Sequence, residues 1–205
     1  MPTASRDPAS EIPPEDALTH LAARLRDDET VASAEVIDPA TKPHLGMLVA
    51  AGPRAAEAPG DYSFVVESVR EGYLLHYGTS RLLSGVDPDL ALLAGDYLYA
   101  LGIEHLSRLG DEAAVVELSD LISLCAQVHT ESMPEVAGPL WLTTTCAVGS
   151  GAFEPHAAAK AAVRQGDSES VDLCLRAARD AAEAAGLGPE LGRASKGIES
   201  AAPLR

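Results

Sequence analysis

The feature that most constrains this chain is a helix that carries its own punctuation. Asp87 followed by Pro88 reads as an N-cap and first helical residue. The aspartate side chain accepts an orphan backbone N–H, and proline's missing donor would have been idle there. Gly110 supplies the stop. Between Leu90 and Ile103 the only charge is Asp96. Leu, Ala, Tyr and Gly occupy nearly every face, so this helix is expected to be surrounded by other helices. Ala94, Gly95, Ala100 and Gly102 leave room for close neighbours.

Further helical stripes follow one another along the chain. Leu18, Leu21, Ala22 and Leu25 mark a helix over 14–26, and Leu45, Leu48 and Val49 one over 44–56. Over 62–83 the stripe is Phe64, Val65, Val69, Tyr73, Leu74, Tyr77 and Leu82. Asp111 caps a helix over 112–130, Pro134 opens one over 135–153, and alanine-rich or amphipathic helices follow over 156–165 and 167–185. Only 31–38 reads as a short extended piece. No strand pattern repeats, so the expected fold is all-α, a helical bundle of about seven or eight helices joined by short capped turns. Residues 13–185 form one domain. The reading expects a disordered tail over 1–12, where there is nothing to bury, and a flexible Gly-, Pro- and Ser-containing tail over 186–205.

The charge balance narrows the partners. The 205 residues carry a formal net charge of −16, which repels nucleic acid and anionic lipid and excludes both as main partners. Aromatics are only 4%, so the core is expected to be Leu, Val and Ala. Cys125, Cys146 and Cys174 lie far apart with no metal spacing and read as small buried hydrophobes in a reducing compartment, hence a cytoplasmic protein. Residues 1–14 hold no apolar run of the signal-peptide kind. Residues 136–153 are uncharged, but Pro139 and the three threonines Thr143, Thr144 and Thr145 fit a buried bundle helix better than a membrane span, so no stable membrane insertion is expected.

Residues 92–100, LLAGDYLYA, resemble the Gly-Asp helix of the trans-polyprenyl diphosphate synthases, in which Leu-Leu-x-Gly-Asp-Tyr-Leu follows the first aspartate-rich motif. They are also similar to the small, non-catalytic subunit of heptaprenyl diphosphate synthase. The resemblance covers about residues 62–153. It implies the isoprenoid synthase fold, with Gly95, Asp96, Tyr97 and Tyr99 in structural or interface roles. In that family two aspartate-rich motifs hold magnesium ions against the leaving diphosphate, because a hard cation needs clustered carboxylates.

Here the corresponding stretch, 65–78, holds Glu67-Ser68-Val69-Arg70-Glu71 and no aspartate pair. Glu67 and Glu71, four residues apart, are the weak metal candidates; otherwise they read as exposed charges on a helix surface. Scattered Asp172, Arg176, Arg179 and Asp180 stand where the second motif would fall, and the family's Lys-Thr pair is reduced to the threonine run, expected to bond its own carbonyls. Arg26-Asp27-Asp28-Glu29 reads as a solvated helix end.

Asp96, alone among Leu and Ala, is expected to be buried and held by Tyr73, Tyr77, Tyr99, Arg70 or Arg81. Tyr73, Tyr77, Tyr97 and Tyr99 read as packing residues, and His76, His105 and His129 as isolated core or surface side chains. The functional expectation is a non-catalytic subunit that pairs with a catalytic polyprenyl diphosphate synthase subunit, or self-associates, and uses no cofactor of its own. Two alternatives stand beside it: a degenerate synthase in which Glu67, Glu71 and Asp96 converge on magnesium and diphosphate, and an unrelated helical scaffold or regulatory protein.

Overall fold

The computed structural model describes residues 12–28 and 34–200. A 3-10 turn at Pro14–Asp16 leads into α1 (Ala17–Arg26). There follow α2 (His44–Ala50), α3 (Pro59–Tyr77), α4 (Pro88–Leu109), α5 (Glu112–Thr130), α6 (Ala137–Ser150), α7 (Phe153–Arg164), α8 (Ser170–Ala185) and α9 (Gly188–Ser200). The strand content among the described residues is one small antiparallel pair. β1 (Glu35–Val36) meets β2 (Leu83–Ser84), with Glu35 opposite Ser84 and Val36 opposite Leu83. The fold is all-α, as the succession of helical stripes implies. No helix among the described residues is long and apolar enough to cross a membrane.

The punctuation of α4 is as expected. Asp87 accepts a hydrogen bond from Leu90 N at 2.9 Å, and Gly110 closes the helix at φ 74°. Its position is not. Leu92 is 51% and Leu93 63% exposed, so α4 lies on the flank and buries one face, carrying Ala94, Gly95, Leu98, Leu101, Gly102 and Leu106.

The enclosed helix is α3, buried on every face from Gly60 through Leu75. It packs mainly on α4 and also touches α1, α2 and α5. Gly72 and Gly95 set the α3–α4 distance. A Cβ on Gly72 would stand 2.8 Å from the Gly95 carbonyl oxygen and 2.7 Å from Tyr99 Cδ1, and one on Gly95 would stand 2.6 Å from His76 Nε2. Two apolar cores flank α3. The larger gathers Leu48, Val66, Leu118, Leu121, Leu140, Trp141 and Cys174 from α2, α3, α5, α6 and α8. The smaller joins Leu18, Leu21 and Leu25 of α1 to Phe64, Leu82 and Leu98.

Two further expectations need correction. The threonine run turns to a neighbouring helix rather than to its own carbonyls: Thr143 Oγ1 and Thr144 Oγ1 lie 3.3 and 3.4 Å from the two ring nitrogens of His156, and Thr145 Oγ1 is buried without a hydrogen-bond partner among the described residues. That buried histidine in turn meets Glu117 at 3.0 Å, and Lys160 bridges Glu117 at 2.6 Å and Asp120 at 2.7 Å. The network ties α5, α6 and α7 together.

The expected tail over 186–205 contains a helix, α9. It follows α8 through Gly186 at φ 72° and seats Ala194, fully buried, against the bundle. Composition misled here: glycine and serine weaken a helix in isolation, and tertiary packing overrides that. The tail expected over 1–12 falls, except for Ile12, outside the described residues, as do Glu29 of the Arg26–Glu29 motif and residues 201–205.

Candidate functional site

The carboxylates of α3 converge on one arginine. Glu67 and Glu71 are one turn apart on α3, and both are fully buried. After α3 ends, the loop through Thr79 and Ser80 swings Arg81 back over them. Arg81 Nη2 stands 2.8 Å from Glu67 Oε2, and Nε stands 3.0 Å from Glu71 Oε1. The Arg81 backbone N–H donates to Glu71 at 3.0 Å, and Gly46 N donates to Glu67 Oε1 at 2.8 Å from the first turn of α2. Burial opposes the charge on Arg81, but Glu67 and Glu71 outweigh it, and the guanidinium pKa is raised. Buried carboxylates require such partners, since an uncompensated interior charge is very costly. The sequence expectation of a solvated acidic face is therefore corrected: these are interior charges. The Glu67 Oε2 and Arg81 Nη2 contact is close but poorly aligned, so neither atom makes a well-formed hydrogen bond.

Arg70 is the uncommon member. It is 5% exposed, and its guanidinium lies over aromatic rings, 4.7 Å from the Tyr73 centroid and 5.1 Å from that of Trp141. Burial lowers its pKa, Tyr73 opposes this, and the neighbouring Arg81 charge adds to it. No carboxylate among the described residues lies within ion-pair distance of it. An arginine stays charged in such a setting and looks for an anion. Ring faces supply part of that stabilisation. Burial in turn raises the Tyr73 phenol to about 12, which keeps it protonated, and its O–H lies 2.9 Å from His129 Nε2.

Arg70 and Arg81 face a cavity of about 410 Å³. Lys42 and His44 stand at one side, Thr41, Thr79 and Ser80 contribute hydroxyls, and Leu45, Leu74, Ala194 and Ile198 form an apolar wall. Three cations (Lys42, Arg70, Arg81) thus face two carboxylates (Glu67 and, behind Arg81, Glu71). This is a locally cationic interior in a chain of net charge −16. Cation, hydroxyl and hydrocarbon together match an anion that carries an apolar tail.

The remaining sequence candidates lie elsewhere. Asp96 is not buried: its side chain is 74% exposed, and His76 Nε2 is 3.2 Å away. Tyr99 stacks on His76 at 5.2 Å, Tyr77 stacks on His129 at 4.1 Å, and Tyr97 donates to Asp28 at 2.5 Å. Tyr77 and Tyr99 thus pack against histidine rings, whereas Tyr97 makes a hydrogen bond. His105 is paired with Asp61 at 2.8 Å. So Glu67 and Glu71 come together, Asp96 does not join them, and no group of three or more His, Cys, Asp or Glu among the described residues is placed to hold a metal ion.

No sequence pattern brought Arg70, Arg81, Lys42 and His44 together; the structure sets all four on the wall of one cavity. The one available signal was a string of charges, Glu67, Arg70 and Glu71, inside an otherwise apolar stripe. Comparison of the chain with protein-family models, with curated proteins and with solved structures returns no match.

Proposed function

We propose that this chain is a catalytically silent relative of the polyprenyl diphosphate synthases. In this reading it holds an anionic amphiphile in the Arg70 cavity through arginine and lysine, and it pairs with a catalytic prenyltransferase subunit. The observation that carries the reading is the state of the α3 charges. Both carboxylates are occupied by Arg81, while Arg70 keeps its charge on the cavity wall with ring faces as its partners. A diphosphate is the anion that the resemblance at residues 92–100 suggests, and Leu45, Leu74 and Ile198 suit its hydrocarbon part. The outward Leu92 and Leu93 on α4 support pairing, because large apolar side chains exposed side by side favour being covered.

Titration calorimetry with inorganic pyrophosphate and with geranyl diphosphate, each in excess EDTA and in magnesium, tests the ligand half. Binding in EDTA is expected for both, tighter for geranyl diphosphate, and Arg70→Gln is expected to weaken it by about tenfold or more. Binding that appears only with magnesium favours the alternative of a degenerate metal-dependent synthase. Recovery of the tagged chain from its source cells tests the other half. A prenyltransferase is expected in the eluate, and its absence counts against the pairing.

A further inference from the structure

We propose that α9 is the movable wall of the Arg70 cavity, and that it opens by rolling into a groove on its other side; this rests on the ligand half of the proposed function. Ala194, Gly197 and Ile198 close one side of the cavity, whereas its other sides belong to α2 and the residues just before it, to α3 and to the loop that carries Arg81. Those other sides are tied together by the buried contacts of Glu67 and Glu71 with Gly46 and Arg81. Arg193 and Glu190 form an ion pair within α9 itself.

The opposite face of α9 borders open space. A groove of about 600 Å³ runs between α9 and α8, floored by Leu142 of α6 and walled by Leu175, Ala178 and Ala182. Gly188 and Gly192 face it, and a Cβ on either would meet nothing within 4 Å. The contrast with Gly197 is sharp. There a Cβ would stand 2.6 Å from His44 Cδ2, on the cavity side. Hence α9 packs against α2, α6 and α8, tightly at Gly197 and with free space beside Gly192. The glycines inside it, Gly192 and Gly197, lower the helix stability further. A packed helix with free volume on one side moves by shear. Displacement of α9 toward α8 widens the cavity mouth at His44 without disturbing the Glu67–Arg81–Glu71 lock.

Filling the groove tests this. Gly192→Leu places a side chain in the open space and should pin α9, and Gly192→Ala carries the change in helix propensity without the fill. Hydrogen exchange of amides 188–198 in the full chain is the first readout. Gly192→Ala is expected to slow it about fivefold, the worth of an interior glycine. Gly192→Leu should slow it by about a further tenfold through the apolar area covered. The second readout is stopped-flow binding of geranyl diphosphate in EDTA, followed by the fluorescence of Trp141, the single tryptophan, which lies 5.1 Å from Arg70. Gly192→Leu should slow association and dissociation together and leave the Kd close to wild type.

Equal exchange in the Ala and Leu variants overturns the movable wall, and so does unchanged binding kinetics in Gly192→Leu. If geranyl diphosphate binds no variant at all, the ligand reading fails by itself, and the exchange data still decide whether α9 moves.

Discussion

Removing the Arg81 side chain should convert two ion-paired carboxylates into an unbalanced interior charge pair. In Arg81→Met, Glu67 and Glu71 keep their backbone donors, Gly46 N and the residue 81 N–H, but lose the guanidinium that spans them at 2.8 and 3.0 Å. Both glutamates are 0% exposed, so water cannot easily replace it. Breaking a buried pair from one side costs about 3–5 kcal/mol, against a total stability of about 5–15 kcal/mol for a domain. At roughly 2–4 °C per kcal/mol for a chain of this size, the Tm should fall by about 10 °C. Urea unfolding followed by circular dichroism and by Trp141 fluorescence measures the change. Adding Glu67→Gln and Glu71→Gln to Arg81→Met should recover most of the loss, because neutral amides need no counterion. A single variant within about 1 kcal/mol of wild type, or a triple variant as unstable as the single one, would refute the reasoning.

Other outcomes follow from the same structure. Asp111 caps α5, takes both oxygens to Arg54 at 2.7 and 2.8 Å, and accepts from Tyr62 at 2.6 Å; Asp111→Ala should cost about 2–3 kcal/mol in urea unfolding. Burial pushes the Asp111, Glu117 and Asp120 carboxyls up, but hydrogen bonds and neighbouring cations outweigh it, so all three titrate below their ordinary values. A carboxylate lowered by folding stabilises above its ordinary pKa and loses that contribution as pH falls. Stability should therefore drop below about pH 4, less steeply in Asp111→Asn. Burial raises Cys125, Cys146 and Cys174 to about 12 each, so a thiol reagent should label none of them in the native chain and all three in denaturant. Gly72→Ala should cost about 1–3 kcal/mol, because its Cβ meets the Gly95 carbonyl, whereas the exposed Asp96→Ala should change stability by less than about 0.5 kcal/mol.

Local signals were legible and long-range ones were not. Asp87, Pro88 and Gly110 announce the ends of α4 because capping is chemistry between near neighbours. The stripe of α3 was equally visible, but not its enclosure. Glu67, Arg70 and Glu71 look like a solvated face until Arg81 and Gly46, ten and twenty-one residues away from their partners, fold onto them. Asp96 misled in the opposite direction. Flanking Leu, Ala and Tyr suggested burial, yet the exposure of Leu92 and Leu93 puts that turn of α4 outside. The helix α9 lay hidden behind glycine and serine, since what holds it is Ala194 and its contacts with α2, α6 and α8. The cavity joins residues from 41 to 198, a juxtaposition that no local pattern encodes.

The central claim is that Arg70 binds an anion without help from a metal. A crystal of the chain grown with geranyl diphosphate in EDTA tests it most directly. The account predicts phosphate oxygens within hydrogen-bond distance of Arg70, the hydrocarbon against Leu74 and Ile198, and Glu67 and Glu71 still on Arg81. A diphosphate found away from Arg70, or Arg81 swung off the two glutamates, would contradict it.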